Sequence, residues 1–114
     1  VPATRAYKRY FVSQTLNTTQ ADMVQVPAGK TWLVLRAWDR FENAGAQTVR
    51  LDRTTSANAR QIRVEERNAG GETASVEIPQ LAGMILTDQD KIRGATVASS
   101  MAMVFVIYVI EETP

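Results

Sequence analysis

Gly94 to Ile110 is a run of 17 consecutive residues without a charge, closing on Met-Ala-Met-Val-Phe-Val-Ile-Tyr-Val-Ile. As a helix this stretch would reach only about 25 Å, short of a hydrocarbon core of about 30 Å. Its first half is mostly Gly, Ala, Thr and Ser, and Glu111-Glu112 follow it with no basic anchor. No membrane association is expected. Extended chain fits better. With a period of two, Met103, Phe105, Ile107 and Val109 share one face, and Val104, Val106, Tyr108 and Ile110 share the other. A strand apolar on both faces is normally central and covered twice. The second face therefore needs a cover, from a loop or arm of the same chain or from another subunit.

The rest of the chain breaks into strand-sized runs between turn signals such as Asn17-Thr18-Thr19, Pro27-Ala28-Gly29-Lys30, Asn43-Ala44-Gly45, Asn68-Ala69-Gly70-Gly71 and Asp88-Gln89-Asp90. The runs are 5–16, 21–26, 31–41, 47–52, 60–66, 73–78, a short pair at 81–87 and 91–93, and 101–111. In 60–66 the alternation is cleanest, with Ile62 and Val64 set against Arg63 and Glu65. In 31–41 it places Trp32, Val34, Arg36 and Trp38 on one face and Leu33, Leu35 and Ala37 on the other. Ile62 and Val64 are out of helical phase, so helix has little support. About eight short antiparallel strands in 114 residues predict an all-β fold, a β-sandwich of jelly-roll type. A single domain over residues 1–114 is expected, with 1–12 as an interface arm or an edge strand.

Two missing residue types bound the chemistry. There is no cysteine, which removes disulfides and thiolate metal sites, and no histidine, which removes the commonest general base and metal ligand. Serines lack a Ser-x-x-Lys partner. Glu65-Glu66 and Glu111-Glu112 are adjacent on strands, so the members of each pair point to opposite faces. Asp88-Gln89-Asp90 would need Gly and Glu where Arg93 and Ser99 stand to form a calcium loop. No catalytic, metal-binding or cofactor-binding residue is nominated. The expectation is a protein that is not an enzyme and carries no cofactor.

Net charge is +1, but residues 1–67 hold 11 basic and 6 acidic side chains, and residues 68–114 hold 2 and 6. Ten of the 13 basic residues are Arg, suited to bidentate pairing with carboxylates. That split serves pairing between adjacent strands, or complementarity between copies or with a larger partner. No basic run exceeds two residues, so nucleic acid is not expected as a partner. The opening Val1-Pro2-Ala3-Thr4-Arg5 has no apolar leader core. Soon after it, Arg5, Tyr7, Lys8, Arg9, Tyr10 and Phe11 interleave basic and aromatic side chains, as an interface arm or a solvated edge strand would. These six, together with Met103, Phe105 and Ile107 of the terminal run, are the candidate protein interface. Trp32 and Trp38, on one face by simple alternation, are the alternative candidate, an aromatic glycan platform.

Two local patterns carry a resemblance. One is Val26-Pro27-Ala28-Gly29-Lys30-Thr31-Trp32-Leu33-Val34. The other is Leu86-Thr87-Asp88-Gln89-Asp90-Lys91-Ile92-Arg93-Gly94, followed by small residues and an apolar terminal strand that ends in acids. Over residues 24–112 this layout resembles small β-sandwich virion proteins of tailed bacteriophages, particularly the capsid decoration or cement proteins. The resemblance implies a jelly-roll-like protein, made in the host cytoplasm, that sits on the outer capsid surface of the virion. It would act as a dimer or trimer, with itself and the major capsid protein as partners, bridging neighbouring capsid subunits. Related sandwiches in tail or head fibres imply the alternative, a ligand- or glycan-binding module.

Overall fold

In a computed structural model, residues 2–114 are described. Nine strands run in chain order: β1 (Thr4–Leu16), β2 (Ala21–Gln25), β3 (Thr31–Phe41), β4 (Gln47–Thr54), β5 (Gln61–Ala69), β6 (Val76–Glu77), β7 (Ile85–Thr87), β8 (Lys91–Thr96) and β9 (Met101–Thr113). One sheet has the order β1-β9-β3-β6, with β7 also on β3; the other has the order β2-β8-β4-β5. Every strand pair is antiparallel. The chain crosses between sheets at each connection except the β4–β5 hairpin and the β6–β7 link. That is the jelly-roll order, with β6 and β7 as two halves of one strand position.

The elements follow from local chemistry. At Asn17 the side-chain Oδ1 accepts the Thr19 N–H at 2.8 Å and closes the turn out of β1. Asp90 Oδ2 accepts the Thr87 N–H at 2.9 Å, and Asp88 Oδ1 accepts the Gly29 N–H at 2.7 Å. The Asp-Gln-Asp segment is thus the expected polar turn, tied to the Pro-Ala-Gly-Lys turn. The expected run 73–78 is reduced to Val76–Glu77, and 81–87 to Ile85–Thr87. Between them Pro79 opens a single 3-10 turn, Pro79–Leu81, that drops Leu81 into the core. The hairpin strand β5 continues through Asn68 and Ala69, where a turn was expected.

Inward residues of both sheets fill one core. Leu16, Trp32, Phe41, Leu51, Ile78, Leu81, Leu86, Ile92, Met101, Met103, Phe105 and Ile107 are all fully buried. Ile62 departs from expectation: Val64 is buried, but Ile62 lies exposed near the β4–β5 hairpin loop. A register shift between Leu51 and Asp52 intervenes in that hairpin.

Gly70, at the end of β5, has a φ of +152°, and a Cβ there would lie 3.0 Å from the Ala46 Cα and 3.1 Å from the Asn43 carbonyl oxygen. These are backbone atoms and cannot swing aside. Gly70→Ala is expected to lower unfolding free energy by about 2 kcal/mol or more in urea titration. Gly29→Ala, at a φ of +77° with open space around it, is expected to lose only about 1 kcal/mol.

Candidate interaction surface

β9 is an inner strand of the five-stranded sheet, between β1 and β3, as its two apolar faces require. Its inward face (Met103, Phe105, Ile107, Val109) is core. Registers on both sides define its outward face as rows of side chains. Tyr7, Ile110, Leu33 and Ile85 form one row across β1, β9, β3 and β7. The next is Arg9, Tyr108 and Arg36, and the one after it is Phe11, Val106, Trp38 and Glu77. Ser13, Val104 and Arg40 follow.

Among the described residues, no loop of this chain covers this face. Val104 and Val106 are only 7% and 2% exposed because long side chains of β1 and β3 flank them. The exposure is passed outward instead: Tyr7 is 62% exposed, Phe11 58%, Ile85 59% and Leu33 41%. Among these residues runs a groove of about 410 Å³ lined by Leu33, Ile85 and Ile110, with Arg5, Glu112 and Thr31 at its rim. Tyr108 lies 6.4 Å from the Tyr7 ring and under the Arg36 guanidinium at 5.8 Å. An apolar face with a groove and an aromatic centre can bury a matching surface.

A buried carboxylate holds β1 in register. Glu111, 2% exposed, projects inward at the end of the core. Its Oε2 accepts from Tyr10 OH at 2.8 Å and Trp32 Nε1 at 2.9 Å, and Oε1 pairs with Lys8 at 2.9 Å and Lys30 at 3.3 Å. Burial alone would raise the Glu111 pKa, but bonds from Lys8, Trp32, Tyr10 and Lys30 outweigh it and hold the carboxyl at about 2. Burial first, then the bond and charge of Glu111, push the Tyr10 hydroxyl up to about 12. Tyr10 also stacks on Trp32, with ring centroids 4.7 Å apart. Lys8 and Tyr10 thus point inward to Glu111, which leaves Arg5, Tyr7, Arg9 and Phe11 pointing out.

The nine interface candidates therefore divide. Arg5, Tyr7, Arg9 and Phe11 lie on the outer face, with Arg5 bound to Glu112 at 2.8 Å. Lys8 and Tyr10 belong to the Glu111 cluster. Met103, Phe105 and Ile107 are core residues and are not available to a partner. The apolar residues facing out are instead Leu33, Ile85 and Ile110, which come from three separate strands and carry no shared local pattern. Trp32 and Trp38 do not share a face. A bulge between Val34 and Arg36 shifts the parity of β3, so Trp32 is fully buried while Trp38 faces outward, half-buried. The pair cannot form a platform.

Arg/carboxylate pairing is satisfied mainly within the chain. Arg50–Glu66, Arg53–Asp90, Arg63–Asp52, Arg93–Asp22 and Arg67 with Asp39, Glu65 and Glu72 are all internal. Arg5–Glu112, Lys8–Glu111, Arg36–Glu77, Arg53–Asp90 and Arg67–Glu72 join a basic residue of 1–67 to an acid of 68–114, so part of the charge split is used in strand pairing inside one molecule.

No protein-family model matches the sequence, and no curated protein matches it. Solved structures similar to this chain include the following two. One is described by the finding that Bacillus endospore appendages form a novel family of disulfide-linked pili; it covers 100% of this chain and 93% of its own, at 10% identity and a TM-score of 0.64. The likeness is one of fold. The second, a cyanophage Pam1 capsid asymmetric unit, covers 98% of this chain and 85% of its own, at 19% identity and a TM-score of 0.47.

Proposed function

We propose that this chain is a non-catalytic structural protein of a virion, one that docks on the outer capsid surface and cements neighbouring major capsid subunits as a homo-oligomer. The observation that carries the reading is the bare apolar outer face of the five-stranded sheet, centred on Tyr7, Leu33, Ile85 and Ile110. Monomeric proteins rarely leave a contiguous apolar patch of this kind without a use for it. The strongly perturbed acids favour a structural role as well. Glu111 is saturated by four donors, and Asp39 and Glu65 are locked against Arg67, so none is free to move a proton to a substrate. The fold neighbour is described as belonging to disulfide-linked pili. These 114 residues include no cysteine, so a disulfide link of that kind is not open to them.

The test is co-sedimentation of the purified chain with phage heads stripped of their decoration protein. The wild type is expected to pellet with the heads. Ile85→Glu, which places a charge in the groove without touching the core, should weaken binding by roughly tenfold or more. Heads that bind neither form, or bind both equally, overturn the reading.

A further inference from the structure

Strand edges are where one sandwich can join another, because half of an edge strand's N–H and C=O groups have no partner within the sheet. Three of the edge positions are poorly suited to pairing. β2 has five residues and a bulge between Asp22 and Val24. β6 and β7 have two and three residues. β5 has nine, with a register shift and a mixed charged sequence, Arg63, Glu65, Glu66 and Arg67. β1 is different. It runs 13 residues in unbroken register with β9, from Thr4↔Thr113 to Leu16↔Met101, with no proline and no bulge. Its one lysine, Lys8, points inward to Glu111 rather than guarding the edge.

We infer that β1 is a self-association edge, on which β1 of a second copy of this chain pairs antiparallel across a two-fold axis, fusing two five-stranded sheets into one. The charges of the strand select the partner and the direction. All its charged residues, Arg5, Lys8 and Arg9, lie before Tyr10, and Phe11 to Leu16 are uncharged. Parallel pairing would stack like charges. Antiparallel pairing with full overlap is centred on Tyr10 and puts Arg9 opposite Phe11, Lys8 opposite Val12 and Arg5 opposite Thr15. Every basic residue then faces an uncharged one. Arg9 makes no ion pair among the described residues, and in this register its guanidinium lies beside the exposed ring of Phe11 of the second copy. The outer apolar face would continue across the seam, through Tyr7 and Phe11 of both copies.

This inference uses the edge of the sheet, whereas the proposed docking uses its outer face, so the two can fail separately. The experiment is sedimentation equilibrium of the full chain over a concentration series, with amide hydrogen exchange across residues 4–16. A dimer is expected, with slow exchange at successive β1 amides. In a monomer only the alternate amides bonded to β9 would be slow. Ser13→Glu with Thr15→Glu places acids opposite the basic half and should tighten the dimer by roughly tenfold; Ser13→Arg with Thr15→Arg should loosen it by a similar factor. All four side chains project into solvent on the outer face, so the fold is retained in each variant, and circular dichroism checks this. A monomer at concentrations up to about 0.1 mM, a dimer indifferent to both variants, or one lost instead on Ile85→Glu overturns the inference.

Discussion

Glu111→Ala is expected to lower the unfolding free energy by about 3 kcal/mol, while the same change at the next residue, Glu112, costs less than about 1 kcal/mol. The two glutamates are adjacent in sequence and opposite in orientation. Glu112 faces solvent on the outer sheet face, paired to an Arg5 side chain that is 72% exposed, so water and salt replace much of the pair when it is lost. Glu111 is 2% exposed, and its removal strands four donors at once. Trp32 Nε1 and the Tyr10 hydroxyl have no other acceptor among their hydrogen bonds, and each is left with a desolvation penalty. Lys8 and Lys30 keep partial access to water and lose less.

Glu111→Gln separates these parts. The amide oxygen still accepts from Trp32 or Tyr10, so its loss should fall between those of the two alanine variants. Acid titration gives a second readout. The Glu111 carboxyl is held at about 2 against an ordinary 4.5, so its contribution is complete above about 4.5 and fades as pH falls toward 2. Urea unfolding of wild type and Glu111→Gln should therefore converge across that acidic range. Curves that stay parallel there would show that the bonds to Glu111 do not stabilise the fold.

The same pair of residues shows how far the sequence could be read. Alternation located nearly every strand, because a half-buried strand must repeat every two residues. It also made 101–111 central, since no edge position could hide both faces. It could not say which face of β9 meets the other sheet. Met103, Phe105 and Ile107 look as able to meet a partner as Val104 and Val106 until the β1 and β3 registers are known. In β3 the failure had a different cause. The bulge at Val34/Arg36 inverts the parity of everything after it, and Val-Leu-Arg contains no residue that announces a bulge. Trp38 was thereby assigned to the face of Trp32. The groove was illegible for a third reason: Leu33, Ile85 and Ile110 meet only through sheet pairing of segments far apart in the chain.

Stability should fall as pH rises from about 5 to about 9, and Glu65→Gln should remove that slope. Asp39 on β3 and Glu65 on β5 belong to different sheets and meet around one guanidinium. Arg67 Nη1 bonds Asp39 Oδ1 at 2.8 Å and also reaches Glu65, and its Nη2 bonds Glu72 at 2.7 Å. The Arg67 guanidinium also lies 5.5 Å from the Phe41 ring centre. Asp39 is fully buried, and its Oδ2, like Oε1 of Glu65, has no hydrogen-bond partner among the described residues. Burial first, then the bond to Asp39 and its charge, raise the Glu65 carboxyl to about 9, with Arg67 opposing. Asp39 is also raised, by burial above all. At neutral pH Glu65 is therefore expected to keep its proton and to share it with Asp39 across the two sheets.

The sign follows from counting protons. Between an unfolded value of 4.5 and a folded value of about 9, the native state holds a proton that the unfolded chain has released. Rising pH therefore favours unfolding, by up to about 1.4 kcal/mol per pH unit for a single proton. The contribution is complete below the unfolded value and gone above the folded one. In Glu65→Gln the amide donates to Asp39 at every pH, so its unfolding free energy should stay flatter through the same window and exceed that of the wild type at its alkaline end. Urea titrations of both proteins across the window decide the matter. Equal slopes would mean that Asp39 and Glu65 do not share a proton, and that Arg67 alone neutralises the junction between the sheets.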